Sequence, residues 1–123
     1  MAKKKPIGAE YKTADHLFEN VEPVTKQIYD KLLAVAKKVG DHEVQPKKTC
    51  VHLANGSAFC GIHPRKNSIM VTLRTKAPIK SDRVHKVEQV SKNRCHNDMK
   101  LHDPKEVDAE FIAWLKQSFT SGE

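Results

Sequence analysis

Cys50-x-His52 followed by Cys60-x-x-His63 brings two thiols and two imidazoles into one short stretch, the residue types and approximate spacing of a tetrahedral zinc set. Zinc needs all four side chains to converge, and the surrounding pattern argues against it. Thr49, Val51 and Leu53 alternate with Cys50 and His52, and Asn55-Gly56 is a pair favoured in two-residue hairpin turns. That turn pairs Leu53 with Ala58, His52 with Phe59 and Val51 with Cys60. Cys60 then shares the Val51 and Leu53 face, while Cys50, His52 and His63 lie opposite. A one-residue slip that reunited the ligands would also turn the apolar side chains outward. Neither a metal site nor a cofactor is expected.

Other chemistries fail for lack of parts. Asp103, Glu106, Asp108 and Glu110 cluster because they decorate a helix start, and no strand carries Glu-x-Lys beside an upstream Asp to hold magnesium. Gly56 and Gly61 stand in a hairpin without the Gly-Lys-Ser/Thr ending of a phosphate loop. A serine or cysteine nucleophile motif is also missing. No catalytic residue is assigned, and the residues make no positive case for an enzyme.

What they offer is recognition. The expected face opposite the core presents His52, Phe59, His63 and Met70, with Thr72 and Arg74 further along. An aromatic ring and a thioether on a polar face suit stacking on a base or contact with another chain. Coverage by an arm or loop is the plainer use. Of the seven histidines, His96 stands out because it shares an outward strand face with Arg94, a pair suited to phosphate or carboxylate. Lys48, Arg65, Lys66, Arg74, Arg94 and His96 form the candidate anion-binding set.

The 123 residues suffice for one domain, with 38% hydrophobic residues for its core and a net charge of +7 that favours polyanionic partners. No apolar run approaches the ~20 residues of a membrane span. Met1-Ala2-Lys3-Lys4-Lys5-Pro6 has the charged start of a signal peptide without an apolar core to follow. Cys50, Cys60 and Cys95 are odd in number and unpaired in spacing, which fits a reducing cytoplasm; Asn55-Gly56-Ser57 is then a turn, not a glycan acceptor.

The positioning elements read as follows. Residues 1–12 form a flexible basic arm and 13–123 a single domain. A short helical turn covers Ala14 to Phe18. Val21, Val24, Ile28, Leu32, Val35 and Val39 make one stripe on a helix from Glu22 to Val39, with Pro23 in its first turn, Lys37 and Lys38 at its end and Gly40 as a left-handed cap. Three consecutive strands follow, from Pro46, from Ser57 to His63, and around Ile69, Val71 and Leu73. A strand near Lys86 to Ser91 precedes another whose Cys95, Asn97, Met99 and Leu101 face inward. Asp103, Pro104 and Glu106 start the last helix, which buries Val107, Phe111 and Leu115. The expected fold is α+β: a two-layer sandwich of an N-terminal helix, an antiparallel meander of about five strands and a C-terminal helix, with one sheet face open.

Pro23-Val24-x-x-x-Ile28-Tyr29, Lys47-Lys48-Thr49, Phe59 before Pro64-Arg65-Lys66, Ser91-Lys92-x-Arg94-x-His96 and Val107-Asp108…Trp114-Leu115 occur in an order that resembles the bacterial domain of unknown function DUF5655, over roughly Leu17 to Phe119. The resemblance implies this fold and a cytoplasmic bacterial setting, but no activity. Some members carry the label of transport protein, which a chain without membrane spans does not suit. The expected function is therefore binding of an anionic partner, nucleic acid or a phosphorylated ligand. Protein interaction or homodimerisation through the open sheet face is the alternative.

Overall fold

The computed structural model describes residues 11–121. The first ten residues of the expected basic arm lie outside that range. Element α1 spans Pro23–Val39. Glu22 enters it in an extended conformation, Pro23 takes the first position where no N–H is needed, and Lys37 and Lys38 sit at the negative end of the dipole. Its buried face is Thr25, Ile28, Tyr29, Leu32 and Ala36, with Val24, Val35 and Val39 packed at the margins. The stripe is thus centred one residue beyond the expected valines, because Tyr29 and Thr25 turn inward. Thr25 Oγ1 donates to the carbonyls of Arg65 and Lys66 at 2.9 and 3.0 Å and so ties α1 to a sheet turn.

Gly40 corrects one expectation. Its φ of 165° is extended, not left-handed. Glycine serves there because an added Cβ would stand 2.5 Å from the Phe119 ring. The close approach, not the cap, excludes a side chain.

Among the described residues the strands are β1 (Glu43–Pro46), β2 (Val51–Asn55), β3 (Ser57–Pro64), β4 (Ile69–Thr75), β5 (Lys86–Ser91) and β6 (Arg94–Leu101). They form one antiparallel sheet in the order β1-β2-β3-β4-β6-β5. Strand β1 is additional to the expected set. It is a four-residue edge strand ending at Pro46, too short for a period of two to register. The meander holds from β1 to β4, after which β6 pairs with β4 and leaves β5 on the edge.

The β2–β3 register differs from expectation. Val51 faces Ile62, His52 faces Gly61 and Leu53 faces Cys60, and the register then shifts so that Ala54 faces Ala58. Phe59 is the extra residue of this bulge. An inserted residue reverses the alternation beyond it, so Phe59 joins Cys60 in the core at 2% exposure instead of standing on the open face. Its ring meets Phe119 edge-on at 5.4 Å and His42 at 6.1 Å. Gly56, at φ 79°, turns the hairpin tip.

The C-terminal helix starts later than its capping box suggests. Asp103 accepts from the Lys105 N–H and Glu106 from the His102 N–H, but the turn they close is a short 3₁₀ segment, Pro104–Glu106. Asp108 then caps α2, Ala109–Thr120, by accepting from the Phe111 N–H. Both helices cover the same sheet face, over Ile62, Val71, Leu73, Met99 and Leu101. Buried Asn97 is fully engaged, donating to Leu73 O and Thr75 Oγ1 and accepting from the Ile79 N–H. Replacing Phe59 with Ala removes a ring that the bulge has turned into the core. We expect a loss of about 3–5 kcal/mol in urea unfolding; a loss below about 0.5 kcal/mol would place the ring on the surface.

Candidate functional site

The uncovered face of the sheet is set by alternation alone. Along β3 it receives Gly61 and His63, along β4 Met70, Thr72 and Arg74, and along β6 Arg94, His96, Asp98 and Lys100, since the intervening residues are core. The register brings these into rows. One runs Gln45, His52, Gly61, Thr72, Asp98, Lys86 across all six strands. The next joins Arg74, His96 and Glu88. A third, on the other side, joins His63, Met70 and Lys100. Sheet twist and the absent side chain of Gly61 leave a concavity of about 320 Å³ lined by His52, Gly61, His63, Thr72, Arg74, His96, Asp98 and Glu88. A Cβ on Gly61 would stand 3.3 Å from His63 Nε2 and 3.6 Å from Thr72 Cβ, so glycine keeps this floor open.

Arg74 dominates the electrostatics. It is 5% exposed, yet among the described residues no carboxylate lies within ion-pair distance of it. Nη1 donates to Ser57 Oγ at 2.8 Å and Nε to Ser121 Oγ at 3.3 Å. The Nη2 donors bond to none of the described residues and are not fully buried, so they open onto the concavity. Burial and the neighbouring Arg94 both pull its pKa below the usual guanidinium range. Arg83 is its opposite. That guanidinium bonds Asp108 and Glu110 at 3.0 Å, the carbonyl of Glu106 at 2.7 Å, and lies 5.5 Å from the centre of the Trp114 ring. Burial alone would depress it, but its two carboxylates raise its pKa. Arg83 is satisfied within the fold and Arg74 is not.

At the centre of the face Thr72 Oγ1 donates to Asp98 Oδ1 at 2.7 Å. The imidazoles of His52 and His63 have pKa values lowered first by burial; Lys47 adds to this at His52, and at His63 Arg65 and His52 add to it while the nearby Asp98 opposes it. Both rings are therefore neutral at pH 7 and each offers one donor and one acceptor.

Five sequence candidates, His52, Phe59, His63, Arg74 and His96, border the concavity, although the Phe59 side chain is only 2% exposed. Arg94 stands near enough to act on Arg74 electrostatically, and half-buried Met70 shares the face. Lys48, Arg65 and Lys66 lie elsewhere: they occupy the β1–β2 and β3–β4 turns, at the opposite end of the sheet from Arg74 and Arg94. The basic set is split between two ends. Phe59 belongs to the core. The zinc set does not form, because Cys60 is buried beneath the sheet with its thiol pKa pushed up to about 12, and among the described residues no three His, Cys, Asp or Glu side chains are placed to share a metal. Cys50, expected on the open face, is buried ahead of β2. Sequence reading placed Thr72 on this face but missed Asp98 and Glu88 as site residues, although the alternation along β6 already placed Asp98 beside His96.

The depressed imidazoles link stability to pH. Their folded pKa values lie below the unfolded value of 6.5, so the unfolded chain binds more protons as pH falls. The stabilisation is complete above pH 6.5 and is lost as pH drops through the folded pKa values. Proton NMR should show both midpoints below 6.5, and His52→Gln with His63→Gln should flatten the fall in stability below that pH. Midpoints at or above 6.5 would contradict the burial.

Among the described residues no helix is long and apolar enough to cross a membrane. No curated protein and no solved structure matches the chain. One family model does, that of the domain of unknown function DUF5655, over residues 14–122 and so over nearly the whole chain. The match agrees with the order of elements and motifs from α1 to α2, and the chain belongs to the DUF5655 family.

Proposed function

We propose that the open sheet face binds an anionic ligand, with the anion seated on Arg74 and flanked by Arg94 and His96. The observation that carries this reading is the buried Arg74 side chain without a carboxylate partner among the described residues. Removing a cation from water costs several kcal/mol unless a counter-charge meets it. Two serine hydroxyls satisfy its geometry but supply no charge, and Nη2 is left over on the guanidinium that lines the cavity. A phosphate or carboxylate completes the set. Cys50, Cys60 and Cys95 are free and buried, which suits work in a reducing cytoplasm.

A strut is the competing role: Arg74 ties the β2–β3 turn to the end of α2 through Ser57 and Ser121, whose Oγ also donates to the Arg74 carbonyl. The two roles differ in sign. A strut loses stability when cut, whereas removal of an unneutralised buried charge leaves stability unchanged or raises it.

A second reading, self-association through an edge, is favoured by β5. All six of its residues are exposed, with Val87 and Val90 at 40% and 49%. Lys86, Glu88 and the bulge between Gln89 and Ser91 oppose it, as devices that keep edges single. Light scattering separates the outcomes, and a strictly monomeric chain at high concentration removes this reading.

For the anion site, calorimetric titration with inorganic phosphate at low salt should show saturable binding that falls about 10- to 100-fold in Arg74→Gln, the worth of charge-assisted bonds. Arg65→Ala and Lys66→Ala, at the far end of the sheet, should leave it unchanged. The melting temperature of Arg74→Gln should hold or rise. A drop of several degrees with unaltered phosphate binding would make Arg74 a strut.

A further inference from the structure

The cavity carries charges of both signs. Arg74 and Arg94 make one end cationic and Asp98 stands at the centre of the face, while at the β5 edge Glu88 lies opposite His96 and Lys86 opposite Asp98. Arg74 pairs with His96, which makes Asp98 its diagonal neighbour on β6, at about 7–8 Å between backbones. Long side chains on such a diagonal are within reach of each other and would neutralise by swinging together. Hydroxyl groups hold them apart here. Ser57 and Ser121 draw the guanidinium toward the β2–β3 turn, and Thr72 engages one oxygen of Asp98. Asp98 Oδ2 accepts no hydrogen bond from the described residues. Both charges are therefore presented to whatever enters.

A nucleic-acid strand fits this pattern poorly. Phosphates recur along it at every nucleotide, so a second one would fall toward Asp98 or Glu88, like charge against like. A hydroxyl group fits well, because an ionised carboxylate is an acceptor alone and takes the hydroxyl hydrogen. Beside these charges lie the bare peptide surface at Gly61 and the imidazoles of His52 and His63, which suit an uncharged polar body. The volume of about 320 Å³ lies at the small end for ligand sites.

We infer that the ligand is a small molecule with one phosphate and a hydroxylated body, of the sugar-phosphate or mononucleotide kind, its phosphate on Arg74 and a hydroxyl donating to Asp98. This rests on the anion-binding reading and narrows it. The opposite charges set the orientation: reversed, the ligand would face phosphate with carboxylate.

The test is calorimetry on the full chain with three probes: inorganic phosphate, ribose 5-phosphate and a single-stranded oligonucleotide. Ribose 5-phosphate should bind at least about tenfold tighter than phosphate, the worth of one hydrogen bond to a charged group. Asp98→Asn should abolish that advantage while leaving phosphate affinity equal or slightly higher, since a nearby negative charge has gone. Equal affinity of wild type for phosphate and ribose 5-phosphate overturns the inference without needing the variant to fold, and leaves the anion site standing. Tighter, steeply salt-dependent binding of the oligonucleotide also overturns it, in favour of a polyanion. Failure of both small probes to bind removes the anion reading itself.

Discussion

A guanidinium sheltered from water needs a counter-charge, and the placement of Arg74 makes this requirement the organising constraint of the open face. Its neighbours on the sheet include a carboxylate within reach, Asp98, yet hydroxyl groups on Ser57, Ser121 and Thr72 keep the two apart. Neutral hydroxyls can fix direction at small energetic cost but do not discharge an ion. The fold thus stores two opposite charges in hydrogen-bonded positions, which is the arrangement expected of a site prepared for a ligand. The same chain shows that it can neutralise an arginine when packing alone is at stake, as Arg83 does with Asp108 and Glu110.

The architecture supplies the two faces that this arrangement needs. Helices α1 and α2 both lie on one side of the sheet, so every second residue of β3, β4 and β6 is committed to the core and its neighbours are committed to the open side. The bulge at Phe59 lets a large aromatic fill the core against Phe119 without taking up space over Gly61. Gly40 admits the Phe119 ring by lacking a side chain. The C-terminus of α2 in turn carries Ser121 to Arg74. Core packing and the orientation of the central cation are therefore connected through one helix.

Much of the fold was legible because it is written in periodicity. The stripe containing Ile28 and Leu32 and the inward Cys95, Asn97, Met99 and Leu101 follow from local spacing. The misses share a cause, which is information that a local pattern does not contain. The Phe59 bulge is decided by what fits against Phe119 across the core, and an inserted residue is invisible to a rule of two. Strand β1 is four residues ending at proline, shorter than the pattern that would reveal it. Asp103 and Glu106 cap a turn, each one residue away from the reciprocal pairing of a capping box, but Val107 interrupts that turn, so Asp108 begins α2 afresh. For the site, individual residues such as His52, His63, Arg74 and His96 were legible as outward-facing. Their company was not, since Lys48, Arg65 and Lys66 share their charge and yet lie at the other end of the sheet. The role of Asp98 depends on the β4–β6 pairing, which places Thr72 opposite it across a long loop.

The central claim is that the Arg74 side chain itself meets an incoming anion. The most direct measurement follows the arginine side-chain Nε–H resonances by NMR while inorganic phosphate is added to the full chain at low salt. A saturable shift at Arg74 and a smaller one at Arg94, with Arg65 and Arg83 still, is the result this account predicts. An unmoved Arg74 resonance, or one that drifts in step with every other arginine, would contradict it.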